Sequence, residues 1–387
     1  MIIAGESSGE LYGSLLAKTL KNKWPGIQIT GVGGSRMEEA GVELISPISD
    51  AFGLVEAVSA FGKIKAAFRK SVEVMKKLRP AVLVLIDYPD FNLKLAEVAK
   101  GLGIKILYYV SPQVWAWREG RVKKIAHLVD RMAVILPFEE KIYRDAGLPC
   151  EFVGHPVLEE IRSVLGTSES FGKERRGQFK AVLGFDPDKP LLSLLPGSRP
   201  SELKRHLPLI VKVIRQFRND PAICSGKELQ FCMPLASNTD MDAYASWFGE
   251  LSREGVVIKK GDSVKVLAAS DLAVVASGTA TLQTALLEVP MVVIYRLSPL
   301  TYQLGKRIVK VKYISLVNIL SGKEVVTELI QERANPEEII NELRKILLDT
   351  GYREKMLGDL RSVKEHFLGK DTSNRVAEIV IELAGGK

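Results

Sequence analysis

The 387-residue chain holds only three cysteines, Cys150, Cys224 and Cys232. Their number is odd and no CxxC pair occurs, which argues against a disulfide framework or a zinc ribbon and fits a reducing cytosol. The four histidines, His127, His155, His206 and His366, are too scattered to suggest a metal site. Long apolar runs are also missing. Ala81–Ile86 and Leu272–Ala276 fall far short of the roughly 20 residues of a spanning helix and read as buried strands. Met1-Ile2-Ile3-Ala4 passes straight into a polar turn, so no signal peptide is read. The first strand is short enough to leave open a start further upstream.

Hydrophobic residues make up 46% and charged residues 26%, as in ordinary globular proteins. The length suits two domains, each able to bury a core. Lys and Arg number 54 against 46 Asp and Glu, a net charge of +8. That excess fits a nucleic acid, a membrane surface or a phosphorylated substrate. No C2H2 finger or RRM signature is present, and no nucleic-acid partner is expected.

Short apolar runs alternate with amphipathic helices. Ile2–Ala4, Gln28–Val32, Val82–Ile86, Lys105–Val110, Arg131–Ile135 and Glu151–Val153 read as strands, with helices near Leu11–Lys21 and Leu93–Leu102. Strands separated by helices predict a parallel sheet covered on both faces. After the polar, loosely patterned stretch Thr167–Asp188 the pattern restarts with Leu191–Leu195, Glu228–Met233, Val256–Ile258, Leu272–Ala276 and Met291–Tyr295. Pro336–Leu383 reads as helical throughout. The expected fold is α/β, two Rossmann-like, doubly wound parallel-sheet domains; with a ligand cleft between them, this arrangement resembles the B-type glycosyltransferase (GT-B) fold. The expected boundaries are residues 1–185, 186–345 and a helical tail, 346–387, which the likeness to that fold implies packs back on the first domain.

Four turns carry candidate chemistry. Gly5-Glu6-Ser7-Ser8-Gly9-Glu10 follows the first strand and opens a helix. Glycines there permit a tight turn and close ligand approach, and the helix start presents unpaired N–H groups. Any strand-to-helix turn favours Gly and Ser, but Glu6 adds a carboxylate at a parallel-strand tip, where such sheets bind ligands. Asp87-Tyr88-Pro89-Asp90-Phe91-Asn92 follows Val82–Ile86. Its Asp and Asn residues fit either helix capping or a carboxylate that removes a proton from a sugar hydroxyl.

In the second half, Leu195-Pro196-Gly197-Ser198-Arg199-Pro200-Ser201-Glu202 ends a buried strand. Ser201 could cap the next helix with Glu202 in its first turn, but capping leaves Arg199 unexplained, and its planar fork suits a diphosphate. Ser277-Gly278-Thr279-Ala280-Thr281-Leu282-Gln283 offers hydroxyls and amides at another helix start, an anion cradle as well as a capped start. It is not a P-loop.

Two further segments stand out. Tyr108–Arg118 crowds Ser111, Gln113, Trp115 and Trp117 at a strand end, fitting either an aromatic core or a loop lining an acceptor pocket. Phe52–Arg69 carries Leu54, Val58, Phe61, Ile64 and Phe68 at helical spacing beside Lys63, Lys65, Arg69 and Lys70. It fits a core-facing helix with a basic edge, or an interfacial helix drawn to anionic lipid.

In order and spacing, these segments together resemble the lipid-A-disaccharide synthase family. Gly33-Gly34-Ser35-Arg36-Met37, Leu136-Pro137-Phe138-Glu139, Phe152-Val153-Gly154-His155-Pro156 and Ser315-Leu316-Val317-Asn318 extend the likeness. The resemblance implies inverting transfer of sugar from UDP-2,3-diacylglucosamine to 2,3-diacylglucosamine 1-phosphate (lipid X), giving a β-1,6 disaccharide phosphate and UDP in lipid A biosynthesis. It implies a cytoplasmic protein peripheral on the inner membrane of Gram-negative bacteria, at an anionic surface, with no metal or cofactor and the oligomeric state unset.

The resemblance also implies roles. Asp90 is the general base, with Asp87 its competitor. Arg199 neutralises the departing UDP, and Glu6 orients hydroxyls. Gly197, Ser198, Arg199, Ser277, Gly278, Thr279, Thr281, Gln283 and Asn318 are expected on the donor. Ser7, Ser8, Gly9, Asp87, Asn92, Ser111, Gln113, Trp115 and Trp117 are expected around the acceptor. The acylated substrates favour a lipid-facing role for the helix after Phe52. Two positions depart from the family pattern: Glu10 replaces the usual Asp, and Gln283 replaces the usual Glu, which puts a ribose contact there in doubt. The rival readings are another GT-B enzyme, such as a UDP-N-acetylglucosamine 2-epimerase, and a non-catalytic nucleotide- or lipid-binding protein.

Overall fold

The computed structural model describes residues 1–47, 57–117, 120–166, 172–220, 228–308 and 311–385. They form two compact units: residues 1–159 with 369–387, and residues 160–368.

The first unit holds β1 (Ile2–Ala4), β2 (Thr30–Gly33), β3 (Glu43–Pro47), β4 (Val82–Ile86), β5 (Lys105–Tyr109), β6 (Arg131–Val134) and β7 (Cys150–Phe152). The sheet order is β3-β2-β1-β4-β5-β6-β7, with all neighbours parallel. Every residue of β4 is buried, as its unbroken Val-Leu-Val-Leu-Ile run requires of a strand covered on both faces. Ile3, Leu83, Leu85, Leu95, Ile106 and Tyr108 lie in the core.

The second unit holds β8 (Leu191–Leu195), β9 (Gln230–Leu235), β10 (Val256–Lys260), β11 (Leu272–Ala276), β12 (Met291–Tyr295) and β13 (Glu328–Ile330). The order β10-β9-β8-β11-β12-β13 is again all parallel. This is the Rossmann strand order, and the first sheet repeats it with one added strand. In each sheet the winding reverses beside the first strand, between β1 and β4 and between β8 and β11. Open α/β sheets bind ligands just beyond the carboxyl ends of strands at such switch points.

Two segments decide how the chain divides between the units. The helix Lys173–Val182, within the polar break read from the sequence, belongs to the second unit. Its inward face is charged. Buried Arg176 donates to the carbonyls of Ser270, Leu287 and Glu288 at 2.6, 3.0 and 2.7 Å, and Lys180 Nζ lies 2.7 Å from Asp271. The tail contains three helices, Pro336–Leu348, Thr350–Glu365 and Thr372–Leu383. The first two lie in the second unit and the last in the first unit. There Arg375 grips Glu151 with both arms of its fork, at 2.7 and 2.8 Å, and Glu382 meets Arg131 at 3.0 Å. The paired guanidinium holds the Glu151 carboxyl below its ordinary range.

Candidate active site

The turns after β1 and β4 form the first cluster. Glu6 is the N-cap residue of the helix Ser7–Lys23, and its side chain makes no cap bond to that helix. Gly5 is required by its neighbour, since a Cβ there would lie 2.3 Å from the Tyr88 ring. Burial, then the charges of Glu6 and Asp90, raise the Tyr88 phenol to about 12. One aromatic ring therefore sits within the field of both candidate carboxylates. Asp90, in the first turn of the helix Pro89–Gly101, is exposed, and its Oδ1 lies 2.6 Å from Arg121 Nη2.

The backbone here is strained. Asp87, Tyr88 and Val110 have φ of 47°, 46° and 65°. Such angles typically cost about 1–3 kcal/mol each and persist only where the surroundings enforce them. Asp87 N–H donates to the Val110 carbonyl at 3.2 Å. The Asp87 carbonyl accepts Tyr108 Oη at 2.7 Å and Asn92 Nδ2 at 2.7 Å. Asn92 is fully buried and also reaches the Ile86 carbonyl at 3.2 Å, so it supports the turn from beneath. Burial, then Asp87, pushes the Tyr108 phenol well up, which keeps its donating proton in place.

The tryptophan segment adjoins this turn. Gln113 is exposed and Trp115 half-buried, whereas Ser111 is buried. Ser111 Oγ and Trp115 Nε1 donate to Glu139 Oε1 at 2.8 and 3.0 Å, and Leu136 N–H donates to Glu139 Oε2 at 3.3 Å. Burial pushes the Glu139 carboxyl up to about 7, against the pull of these donors. Gly9 is buried and Ser8 half-buried; the side chains of Ser7 and Trp117 lie outside the described residues. Glu10 Oε1 accepts the Arg36 N–H at 2.9 Å, which ties the first glycine turn to the second.

The second cluster surrounds the ends of β8 and β11. The helix Pro200–Arg218 has Arg199, not Ser201, at its N-cap. Glu202 turns back so that Oε2 accepts the Ser198 and Arg199 N–H groups at 3.0 and 3.2 Å. Gly197 has φ 104°, and a Cβ there would meet that carboxylate at 2.3 Å. The turn thus binds its own carboxylate through its amides and presents Arg199 and Ser198 outward, both exposed. Buried His206 braces it. Nδ1 donates to the Pro196 carbonyl at 2.7 Å, and Nε2 accepts the Arg296 N–H at 3.0 Å, partners that select the neutral tautomer. Burial holds its pKa below the ordinary value.

Beyond β11, Gly278 is exposed and Thr279 half-exposed at the start of the helix Thr279–Leu286, whose first turn directs amides outward. Ser277 Oγ donates to the Ile314 carbonyl at 2.8 Å. Thr281 is buried and bonds the Gly278 carbonyl at 2.8 Å. Gln283 is buried and donates to Glu160 at 3.0 Å. Asn318, read as a donor contact, is fully buried with its amide engaged by protein. Nδ2 donates to the Val326 carbonyl and to Glu328, both at 2.8 Å, and Oδ1 accepts the N–H groups of Val325 and Val326. Glu328 also accepts the Ile314 and Ser315 N–H groups and Ser315 Oγ. This network shapes the loop on which Ser277 rests.

Of the five positions read as lipid-facing, Leu54 and the side chains of Val58 and Phe61 lie outside the described residues. Ile64 and Phe68 are half-buried in the helix Ala57–Leu78 and pack on the core, Phe68 edge-on to Phe91. Among the described residues no helix is long and apolar enough to cross a membrane.

Two parallel Rossmann-type sheets with polar turns at both switch points define an α/β protein of the GT-B fold class. Solved structures agree on the fold. A UDP-GlcNAc 2-epimerase from Neisseria meningitidis, bound to UDP-GlcNAc, superposes with a TM-score of 0.65 over 98% of this chain and 99% of its own, at 10% identity. The glycotransferase of kitacinnamycin gives 0.61 over 99% and 98%, at 15% identity. The family model for lipid-A-disaccharide synthetase matches residues 1–380. The lipid-A-disaccharide synthase of Trichlorobacter lovleyi is 42% identical over 99% of this chain and 97% of its own length. That of Geobacter sulfurreducens is 42% identical over 100% and 97%. The chain belongs to the lipid-A-disaccharide synthase family, as its motifs led us to expect, and its activity is that synthesis.

Proposed function

We propose that the chain transfers 2,3-diacylglucosamine from its UDP ester to the 6-hydroxyl of 2,3-diacylglucosamine 1-phosphate, with inversion. The observation that carries the residue assignment is the cluster around Tyr88, which gathers Glu6 and the exposed, Arg121-paired Asp90 at the switch point of the first sheet. In this reading Asp90 takes the hydroxyl proton as the acceptor oxygen forms its bond to the anomeric carbon. The bond from that carbon to the diphosphate breaks, and UDP leaves with the electron pair. Arg199 and the first turn of the helix Thr279–Leu286 meet the charge growing on the diphosphate. Glu6 orients sugar hydroxyls, and Ser198, Ser277 and Thr279 lie around the donor. Asp87, with its carbonyl and amide engaged in the strained turn, serves to hold Asp90 in place.

The acylated substrates put the reaction at a lipid surface, and the net charge of +8 suits an anionic one. The test is incubation with UDP-2,3-diacylglucosamine alone and with the phosphorylated acceptor. Disaccharide and UDP should form together only with acceptor. UDP release or epimer formation without acceptor would contradict the assignment.

A further inference from the structure

A carboxylate unused by that chemistry supports one wall of the first cluster. Glu139 opens the helix Glu139–Asp145 just beyond β6 and is 2% exposed. Its three donors come from different places: Ser111 in the turn after β5, Trp115 in the short helix Val114–Trp117, and Leu136 in the turn after β6. Burying a carboxylate is costly unless such donors satisfy it, and an apolar residue would fill the space without that cost. What the carboxylate does, and an apolar residue could not, is fix the direction of an indole N–H and a hydroxyl. Phe138 meets the Trp115 ring edge-on at 5.2 Å between centroids, so the indole is held on its edge as well as at its nitrogen.

We infer that Glu139 is a positioning residue, which through Ser111 and Trp115 sets the wall that receives the acceptor sugar. The inference rests on reading the β5 turn as acceptor-side. A glutamine is the sharp test, because its NH2 group would face one of three donors that now find only oxygen.

In the full chain, Glu139→Gln and Trp115→Phe are compared singly and together. The readouts are KM for each substrate, kcat, and the emission of Trp115 in a background with Trp24, Trp117 and Trp247 changed to Phe. Glu139→Gln should raise the acceptor KM by about 10–100-fold, leave UDP affinity unchanged, and shift the indole emission. The double variant should be no worse than Trp115→Phe alone, since the two act as one unit. An unchanged acceptor KM, or additive losses in the double variant, would overturn the inference. Should Glu139→Gln fail to fold, the pair Ser111→Ala and Trp115→Phe carries the same non-additivity test. Wild-type turnover reports on the functional reading and indole emission on Glu139, so the two can fail separately.

Discussion

Arg121 Nη2 holds Asp90 Oδ1 at 2.6 Å, linking the helix Arg121–Leu128 to the turn beyond β4. The carboxylate is mostly exposed, with 72% of its side chain accessible, so the pair adds little to stability, at most about 1 kcal/mol. Its consequence is orientation of the proposed base. Arg121→Ala should lower turnover by about tenfold while the melting temperature stays nearly constant, as steady-state kinetics and thermal unfolding would report. An unchanged rate would remove Arg121 from the mechanism.

Gly197→Ala should damage the donor side. The added methyl meets the Glu202 carboxylate and sits on a backbone with positive φ. A loss of about 1–3 kcal/mol in stability is expected, together with weaker UDP binding by calorimetry. Intact UDP affinity would show that the shape of this turn does not govern nucleotide binding.

Glu328→Ala should act through the same side without touching the nucleotide. It would strand the Ile314 and Ser315 amides, the Ser315 hydroxyl and one Asn318 proton. We expect a destabilisation on the order of 3 kcal/mol, with reduced UDP affinity as the Ser277 support loosens. Denaturant unfolding and calorimetry measure the two effects.

Buried His155 predicts a pH dependence. Burial lowers its pKa to about 3 from an ordinary 6.5, and its Nδ1 accepts the Val157 N–H at 3.2 Å. The unfolded chain takes up this proton near pH 6.5, but the folded one does not until near pH 3. The contribution is therefore complete above pH 6.5 and falls by about 1.4 kcal/mol per pH unit below it. Urea unfolding between pH 7 and 5 should show a slope that His155→Gln reduces. Equal slopes would contradict the assignment.

The sequence made the central strands legible because burial on both faces leaves nearly continuous apolar runs, unbroken in β4, β11 and β12 and interrupted only by buried Ser193 in β8. It missed β3, a half-exposed strand at an edge of the first sheet that ends in Pro47, and β13, three residues at an edge of the second sheet. The four candidate turns were legible because each follows a buried strand. Which way their side chains face was not. Asn92, Ser111, Thr281, Gln283 and Asn318 were read as lining a site, yet all are buried and bonded to protein. Tyr88, Arg121, Glu202, His206 and Glu328 carried no periodicity or spacing to reveal their roles, since their partners lie far off in sequence or in a turn's folded backbone. Glu139 stood within a family motif but without an assigned role.

The most direct measurement is disaccharide formation by purified wild-type protein and Asp90→Asn, followed by mass detection with both acylated substrates. The wild type should yield disaccharide and UDP, and the variant should fold normally yet be slower by about 10²–10⁴-fold. Product at an undiminished rate from Asp90→Asn would contradict the account.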